Sequence, residues 1–250
     1  MNIYESDRLL SEYLLFHYAE PAELLPWPQG PREALGFPVR AVTETFGPLP
    51  RDGRALDVGC AVGRSSFELA RRVGEVIGID YSRRFIEAAR TILNQGYIEC
   101  DRLEEGERVT RLCLRRPPLD HGSITFLQGD AMALPDGLGM FDAVLAANLV
   151  CRLPEPLRFL RQLPALVKPG GTLVITTPCT WMEEFTPRVH WLGGLEQEGV
   201  SRNTLDGLRA ELEPAFVLER TLDLPFLIRE HARKYQWSVA QASVWTRRNS

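Results

Sequence analysis

The sequence predicts a doubly wound α/β fold, a parallel sheet covered by helices on both faces and preceded by a helical cap. Three observations carry this reading. From Arg54 onward, short apolar runs alternate with helical stretches, the pattern of strands that are buried on both faces. The first run ends in the turn Asp57-Val58-Gly59-Cys60-Ala61-Val62-Gly63, and a helical stretch follows at once. Polar residues then stand at or just beyond the carboxyl ends of later runs, at Asp80, Asp130 and Asn148, where open α/β sheets bind their ligands.

The elements follow in order. Residues 5–18 place Leu9, Leu10, Tyr13, Leu14, Phe16 and His17 at near-helical spacing, which predicts an amphipathic helix. Prolines at 21, 26, 28, 31 and 38 break up the next stretch, and Arg40 to Phe46 reads as a second short helix closed by GPLPRDG. Residues 1–50 thus read as the cap and 51–250 as the ligand-binding part of one integrated domain. RALDVG (54–59) is the first strand, Arg64 to Val73 the first core helix, EVIGID (75–80) the second strand and Arg83 to Leu93 the second helix. ITFLQGD (124–130), FDAVLAAN (141–148) and GTLVITT (171–177) continue the sheet. A helix near Asn203 to Leu212 precedes apolar runs around Phe216 and Val239 to Trp245. Residues 96–122 break the rhythm: alternation on both sides of a charged EEGE turn predicts an inserted β-hairpin.

A chain of 250 residues, 44% hydrophobic, suffices for one large domain with a continuous core. The net charge of -4 gives no footprint for a phosphate backbone, so a nucleic-acid substrate is disfavoured. Five cysteines stand far apart without a C-x-x-C pair, which argues against a disulfide framework and a zinc site, and no metal is expected. The first residues lack the basic head and unbroken apolar run of a signal peptide, and no later run has the length of a membrane span. A soluble, cytoplasmic protein with a small-molecule substrate is expected.

The glycine turn narrows the ligand. A dinucleotide fingerprint needs G-x-G-x-x-G, whereas Gly59 and Gly63 are four apart and Ala61 replaces the middle glycine; a P-loop fails because no G-K-[ST] follows. D-x-G-x-A-x-G after a strand resembles the first motif of class I methyltransferases. The resemblance implies S-adenosylmethionine as cofactor and S-adenosylhomocysteine as product. It also implies contacts from Asp57, Gly59, Cys60, Ala61, Gly63 and Arg64, from Asp80 and Tyr81 at the ribose, from Asp130 and Ala131 at the adenine, and from Asn148 beside the reacting methyl. Asp80 and Asp130 are equally suited to be plain turn residues, and Cys60 reads as a small buried side chain rather than a nucleophile.

Longer stretches resemble one narrower family, the 5-thiohistidine (4-mercaptohistidine) N-methyltransferases of ovothiol biosynthesis, which include the C-terminal domain of ovothiol synthase. They are YESDRLLSEYLLFHY (4–18), LPWPQGP with ALGFPVR (25–40), LDVGCAVGRSSFELAR (56–71), EVIGIDYSRRFI (75–86), VLAANLVCRL (144–153), EEFTPRVHWLGG (183–194) and LPFLIREHARKYQ with VAQASVW, reaching residue 245. The resemblance implies methylation of an imidazole nitrogen of 5-thiohistidine to ovothiol A. Carbon-sulfur bond formation would then fall to a separate sulfoxide synthase and lyase. Candidate substrate contacts are Tyr4, His17, Arg40, Trp181, Glu184 and His190, with His190, Glu184 and Asn148 the catalytic candidates. His17 and Trp181 also fit plain core positions, and Arg40 fits a surface ion pair. The cap and residues 179–194 are expected to close together over the cofactor.

Overall fold

The computed structural model describes residues 5–197 and 199–249. The chain opens with three helices, α1 (Asp7–Tyr18), α2 (Pro21–Leu24) and α3 (Phe37–Thr43). The first α/β units follow as β1 (Arg54–Val58), α4 (Arg64–Ala70), β2 (Glu75–Asp80) and α5 (Arg83–Gln95). A hairpin of β3 (Tyr97–Glu105) and β4 (Arg108–Arg115) precedes β5 (Ser123–Gln128) and β6 (Phe141–Ala147). Then come α6 (Pro156–Leu160), α7 (Leu163–Leu166), β7 (Val167–Thr177), the short pair β8 (Leu195–Gln197) and β9 (Val200–Arg202), and α8 (Thr204–Leu212). A long hairpin of β10 (Phe216–His231) and β11 (Lys234–Arg247) ends the chain.

Seven strands form one sheet in the order β10-β11-β7-β6-β1-β2-β5. The pairs from β7 to β5 are parallel, and β11 runs antiparallel to both β7 and β10. The chain winds outward from β1 through β2 to β5, then returns to β6 on the other side of β1, so the order reverses between β1 and β6. Above that switch point lies the crevice where such sheets take ligands. Both faces are buried, and the alternation along each strand shows how. Leu56, Val58, Val144, Ala146, Leu173 and Ile175 pack on one face with Phe159, Leu208 and Leu212. Ala55, Val76, Ala143, Leu145 and Val174 pack on the other with Leu69, Val73, Val42 and Phe46.

The N-terminal helices are integral to this core. Leu14, Leu15, Tyr18 and Leu24 share a cluster with Ala61, Val62, Phe67 and Phe85. Prolines read as breakers start helices instead: Pro21 opens α2 and Pro38 sits in the first turn of α3, which begins at Phe37 after Gly36 in the left-handed region. The second cap helix therefore starts three residues earlier than its spacing suggested, because proline's fixed φ suits a first helical turn.

The hairpin read over 96–122 is present, with Tyr97 to Glu105 paired against Arg108 to Arg115. The last hairpin is longer than the sequence suggested. Gln241 pairs with Thr177 at the carboxyl end of β7, and residues 234–240 of β11 continue beyond it, an overhang of about 20 Å at a normal strand rise. Arg229 binds this overhang to the β3-β4 hairpin: it is 2% exposed and donates to the Leu103 carbonyl at 2.7 Å and to Glu104 at 2.7 Å. Trp27 Nε1 donates to the Ala232 carbonyl at 3.0 Å, which adds the segment after α2 to the same assembly. No described helix is long and apolar enough to cross a membrane.

Candidate functional site

Asp80 holds the glycine turn in place from the neighbouring strand. Its Oδ2 accepts from the Ala61 amide at 2.9 Å and its Oδ1 from the Ser82 amide at 2.8 Å. The turn runs through the left-handed region at Gly59 (φ 74°), Ala61 (φ 48°) and Gly63 (φ 90°). For alanine that conformation costs about 1–2 kcal/mol, and the charge-assisted bond from its amide to Asp80 offsets it. Gly63 has a second reason to be glycine: a Cβ there would meet the Phe126 ring at 2.5 Å.

Asp57 lies beneath the turn at 1% exposure. Ser66 Oγ donates to its Oδ2 at 2.6 Å, and its Oδ1 is buried without a hydrogen-bond partner. Burial drives the Asp57 pKa from 3.8 up to about 7, the Asp80 carboxylate adds to this and the Ser66 bond opposes it. Burial likewise raises Asp80 from 3.8 to about 6, against its amide bonds. The Cys60 thiol is pushed well above 9 by burial and by both carboxylates, so it is a packed side chain and no nucleophile.

Helix α1 lies across the carboxyl ends of β1 and β2. At its start, the Glu5 carboxylate accepts from the Arg83 amide at 3.0 Å, and Arg84 pairs with Asp7. Midway, Tyr13 packs on Phe85 with ring centroids 4.8 Å apart. At its end, Tyr18 donates its hydroxyl to the Val62 carbonyl at 2.7 Å and His17 Nδ1 accepts from the Arg64 amide at 3.3 Å. Burial, with the Arg64 cation adding to it, pulls the His17 pKa down to about 3. His17 is therefore neutral, and because Nδ1 is an acceptor its proton sits on Nε2.

Residues 56–175 match the family described as methyltransferase domain. The chain is 33% identical over 122 residues to a demethylmenaquinone methyltransferase of Lactococcus lactis, covering 48% of this chain and 39% of that protein. It is 29% identical over 150 residues to a ubiquinone biosynthesis O-methyltransferase of Xanthomonas campestris, covering 60% of this chain and 53% of that protein. The chain thus spans about half the length of these curated relatives, or less. A crystal structure of a SAM-dependent methyltransferase from Methanosarcina mazei shares the fold with a TM-score of 0.55 at 18% identity, covering 81% of this chain and 96% of that one.

Residues 56–175 thus match a methyltransferase domain, in a fold shared with SAM-dependent methyltransferases.

The described residues fit that cofactor. Asp57 Oδ1 is an orphaned buried acceptor beside the turn, the kind of atom that calls for a partner. Asp80 spends acceptor positions on the Ala61 and Ser82 amides, with the Tyr81 amide contributing too, and a carboxylate offers about four, which leaves room for a ribose hydroxyl. Tyr81 is 65% exposed beside it, an aromatic surface free to lie against a ligand. Asp130 Oδ1 caps a turn at the Met132 amide, 2.8 Å away, so the turn role is real and its second oxygen is what remains for the adenine. Ala131 is buried in the core next to it. The Arg64 guanidinium pairs with Glu68 at 3.3 Å, and its backbone amide is the part that meets His17.

Asn148 stands just past β6 in the left-handed region (φ 53°), at the switch point. Its amide donates to the Thr176 carbonyl at 2.9 Å and to Thr176 Oγ1 at 3.0 Å, and its Oδ1 accepts from that hydroxyl at 2.9 Å.

The substrate-side candidates divide. Tyr4 lies outside the described residues. Arg40 is committed elsewhere: its Nε donates to the Leu35 carbonyl at 2.9 Å, its Nη2 donates to the Pro225 carbonyl, and Glu44 lies 3.7 Å away. It fastens α3 to β10. Trp181 packs against the core and donates Nε1 to Thr204 on α8 at 2.9 Å. Glu184 is exposed, and His190 is half-buried in the short turn Arg188–His190. Their loop is pinned by Thr186 to the Leu153 carbonyl at 2.7 Å and by Arg152, which donates to the Thr180 carbonyl at 3.2 Å. Through Trp181 this loop docks on the α8 face of the sheet, whereas α1 and α3 dock on the α4 face. The described contacts do not bring the two together, and the β10-β11 overhang is what meets the N-terminal helices. Phe16 and Phe37 pack on Phe226, with centroids 6.2 and 5.2 Å away.

Sequence reasoning missed Ser66, Tyr18, Thr176 and the overhang. Ser66 was legible as a polar residue on the buried face of α4. Thr176 carried a signal too, a polar residue inside an apolar strand.

Proposed function

We propose that this chain transfers a methyl group from S-adenosylmethionine to an imidazole nitrogen of 5-thiohistidine, giving ovothiol A, in the cytoplasm and downstream of a separate sulfoxide synthase and lyase. The observation that carries the reading is spatial. Two of the segments of the narrow resemblance that lie outside residues 56–175, YESDRLLSEYLLFHY and LPFLIREHARKYQ, meet each other at the carboxyl edge of the sheet. Arg8 approaches Glu230 at 3.6 Å, and Phe16 packs on Phe226. A generic methyltransferase core needs neither segment, so their meeting fits a pocket shaped for a particular small substrate.

On this reading Asp57, the Gly59 to Gly63 turn with Cys60 and Ala61, and Arg64 hold the methionine end of the cofactor. Asp80 and Tyr81 hold the ribose, Asp130 and Ala131 the adenine, and Asn148 adjoins the methyl. When bound, S-adenosylmethionine supplies a methyl already activated on a sulfonium. The residues of the chain then have to align the acceptor nitrogen and exclude water, which on this reading falls to α1 and the β10-β11 overhang. His17, neutral and with its proton on Nε2, can donate to a bound group. Glu184 and His190 stay candidates for removing the ring proton, and ionisation of the substrate's own thiol lessens the need for them.

A second reading, a quinol-type acceptor, is favoured by the activities for which the relatives are named. Transfer of labelled methyl from S-adenosylmethionine separates the two. The proposal predicts turnover with 5-thiohistidine, little with histidine and none with a demethylated quinol. Label appearing in the quinol alone would sink it.

A further inference from the structure

Thr176 is fully buried in β7, between Ile175 and Thr177, and pairs across the sheet with Ala147. A polar side chain there needs a partner, and every bond described for its hydroxyl goes to Asn148. Oγ1 accepts from the Asn148 backbone amide and donates its single proton to Asn148 Oδ1. That leaves the Asn148 Nδ2 group, with two N–H donors and no described partner, as the free end of the carboxamide. The backbone of Asn148 is equally fixed, because its amide also donates to the Thr176 carbonyl. The β-branched side chain of threonine is stiff about χ1, so burial holds the hydroxyl where it can grip Asn148.

We propose that Thr176 is a positioning residue that clamps the Asn148 carboxamide with its oxygen turned inward, so that only N–H donors face the methyl-acceptor pocket. This rests on the reading that Asn148 adjoins the reacting methyl. The consequence is selectivity. The pocket wall at Asn148 binds a group that accepts hydrogen bonds, such as a thiolate, a carboxylate or an unprotonated ring nitrogen, and disfavours a group that can only donate. A site whose polar group would be left unpaired discriminates strongly.

The test uses Thr176→Val, which keeps the shape and removes the hydroxyl, Thr176→Ser, which keeps it, and Asn148→Ala. Three readouts are taken on the full chain: the Asn148 side-chain NH2 resonances, affinity for S-adenosylhomocysteine, and kinetics with 5-thiohistidine. The clamp predicts that Thr176→Val shifts or broadens the Asn148 NH2 pair and raises KM about tenfold, the scale of one hydrogen bond. Cofactor affinity stays within about twofold, and Thr176→Ser restores both other readouts. The double variant Thr176→Val/Asn148→Ala is expected to be no worse than Asn148→Ala alone, because the two residues act as one unit. NH2 resonances unchanged in Thr176→Val, or equal damage from Val and Ser, would overturn the clamp. Should the wild type fail to methylate 5-thiohistidine while the resonances still respond, the clamp stands and the substrate reading falls. If the valine variant does not fold, the resonances of the serine variant decide: the wild-type pattern supports the clamp, and a freely averaging NH2 group refutes it.

Discussion

Replacing Asp80 with alanine separates a cofactor contact from a plain turn residue. In the structure its two oxygens accept from the Ala61 and Ser82 amides at 2.9 and 2.8 Å. Of the roughly four acceptor positions of a carboxylate, at least one stays open for the ribose. Hydrogen bonds to a charged acceptor contribute roughly 1.5–3 kcal/mol, so loss of the ribose contact weakens S-adenosylhomocysteine binding about 10- to 150-fold. Loss of the Ala61 bond acts in the same direction, since the turn then holds alanine in the left-handed region without support. The fold should survive, because the strand and turn are also held by the Gly59 amide donating to the Ile79 carbonyl at 2.8 Å. Calorimetric titration gives the affinity and circular dichroism checks the fold. A folded variant whose affinity stays within twofold of wild type would refute the ribose assignment, and Asp80 would be a turn residue only.

Three further outcomes are expected. An ionised Asp80 is the stronger acceptor for ribose hydroxyls, and its pKa is raised to about 6, so affinity should fall as pH drops through about 6; in Asp80→Asn that step should be lost, leaving only any contribution from Asp57, which titrates near 7, and an unchanged profile would contradict the assignment. Gly193→Ala should cost about 3 kcal/mol, the upper end for overpacking, because a Cβ would lie 2.1 Å from the Asn203 carbonyl carbon, which is backbone and cannot yield; thermal melts within a degree of wild type would contradict the packing there. Arg229→Met should destabilise by about 3 kcal/mol as a broken buried pair and free the β3-β4 hairpin from the overhang, which hydrogen exchange at Leu103 and Glu104 reads directly; unchanged protection would show that the pair does not join the hairpins.

The sheet was legible because strands buried on both faces leave continuous apolar runs, and because the turn from Asp57 to Gly63 allows few ligands. The acids and the asparagine near the strand ends stand in local context, so position along the chain was enough to single them out. What was not legible depends on distance. Tyr18 meets Val62 across 44 residues and Arg40 meets Pro225 across 185, and nothing in local spacing encodes such meetings. The same holds for Trp181, whose tie to Thr204 makes it a support for α8. The overhang was not legible because Pro225 and the charged residues of 229–234 interrupt the apolar pattern that marks a strand. In the structure Arg229 pairs with Glu104 and Lys234 with Glu230 at 2.8 Å, so the strands reach His231 and resume at Lys234.

The cofactor is proposed to sit at the carboxyl edge of the sheet, between the glycine turn, Asp80 and Asn148. A crystal structure of the full chain with S-adenosylhomocysteine tests it most directly. Ribose hydroxyls are expected within hydrogen-bond distance of Asp80, the amino-acid end against the Asp57 to Gly63 turn, and the sulfur facing Asn148. A ligand seated elsewhere, or one whose sulfur faces away from Asn148, would contradict it.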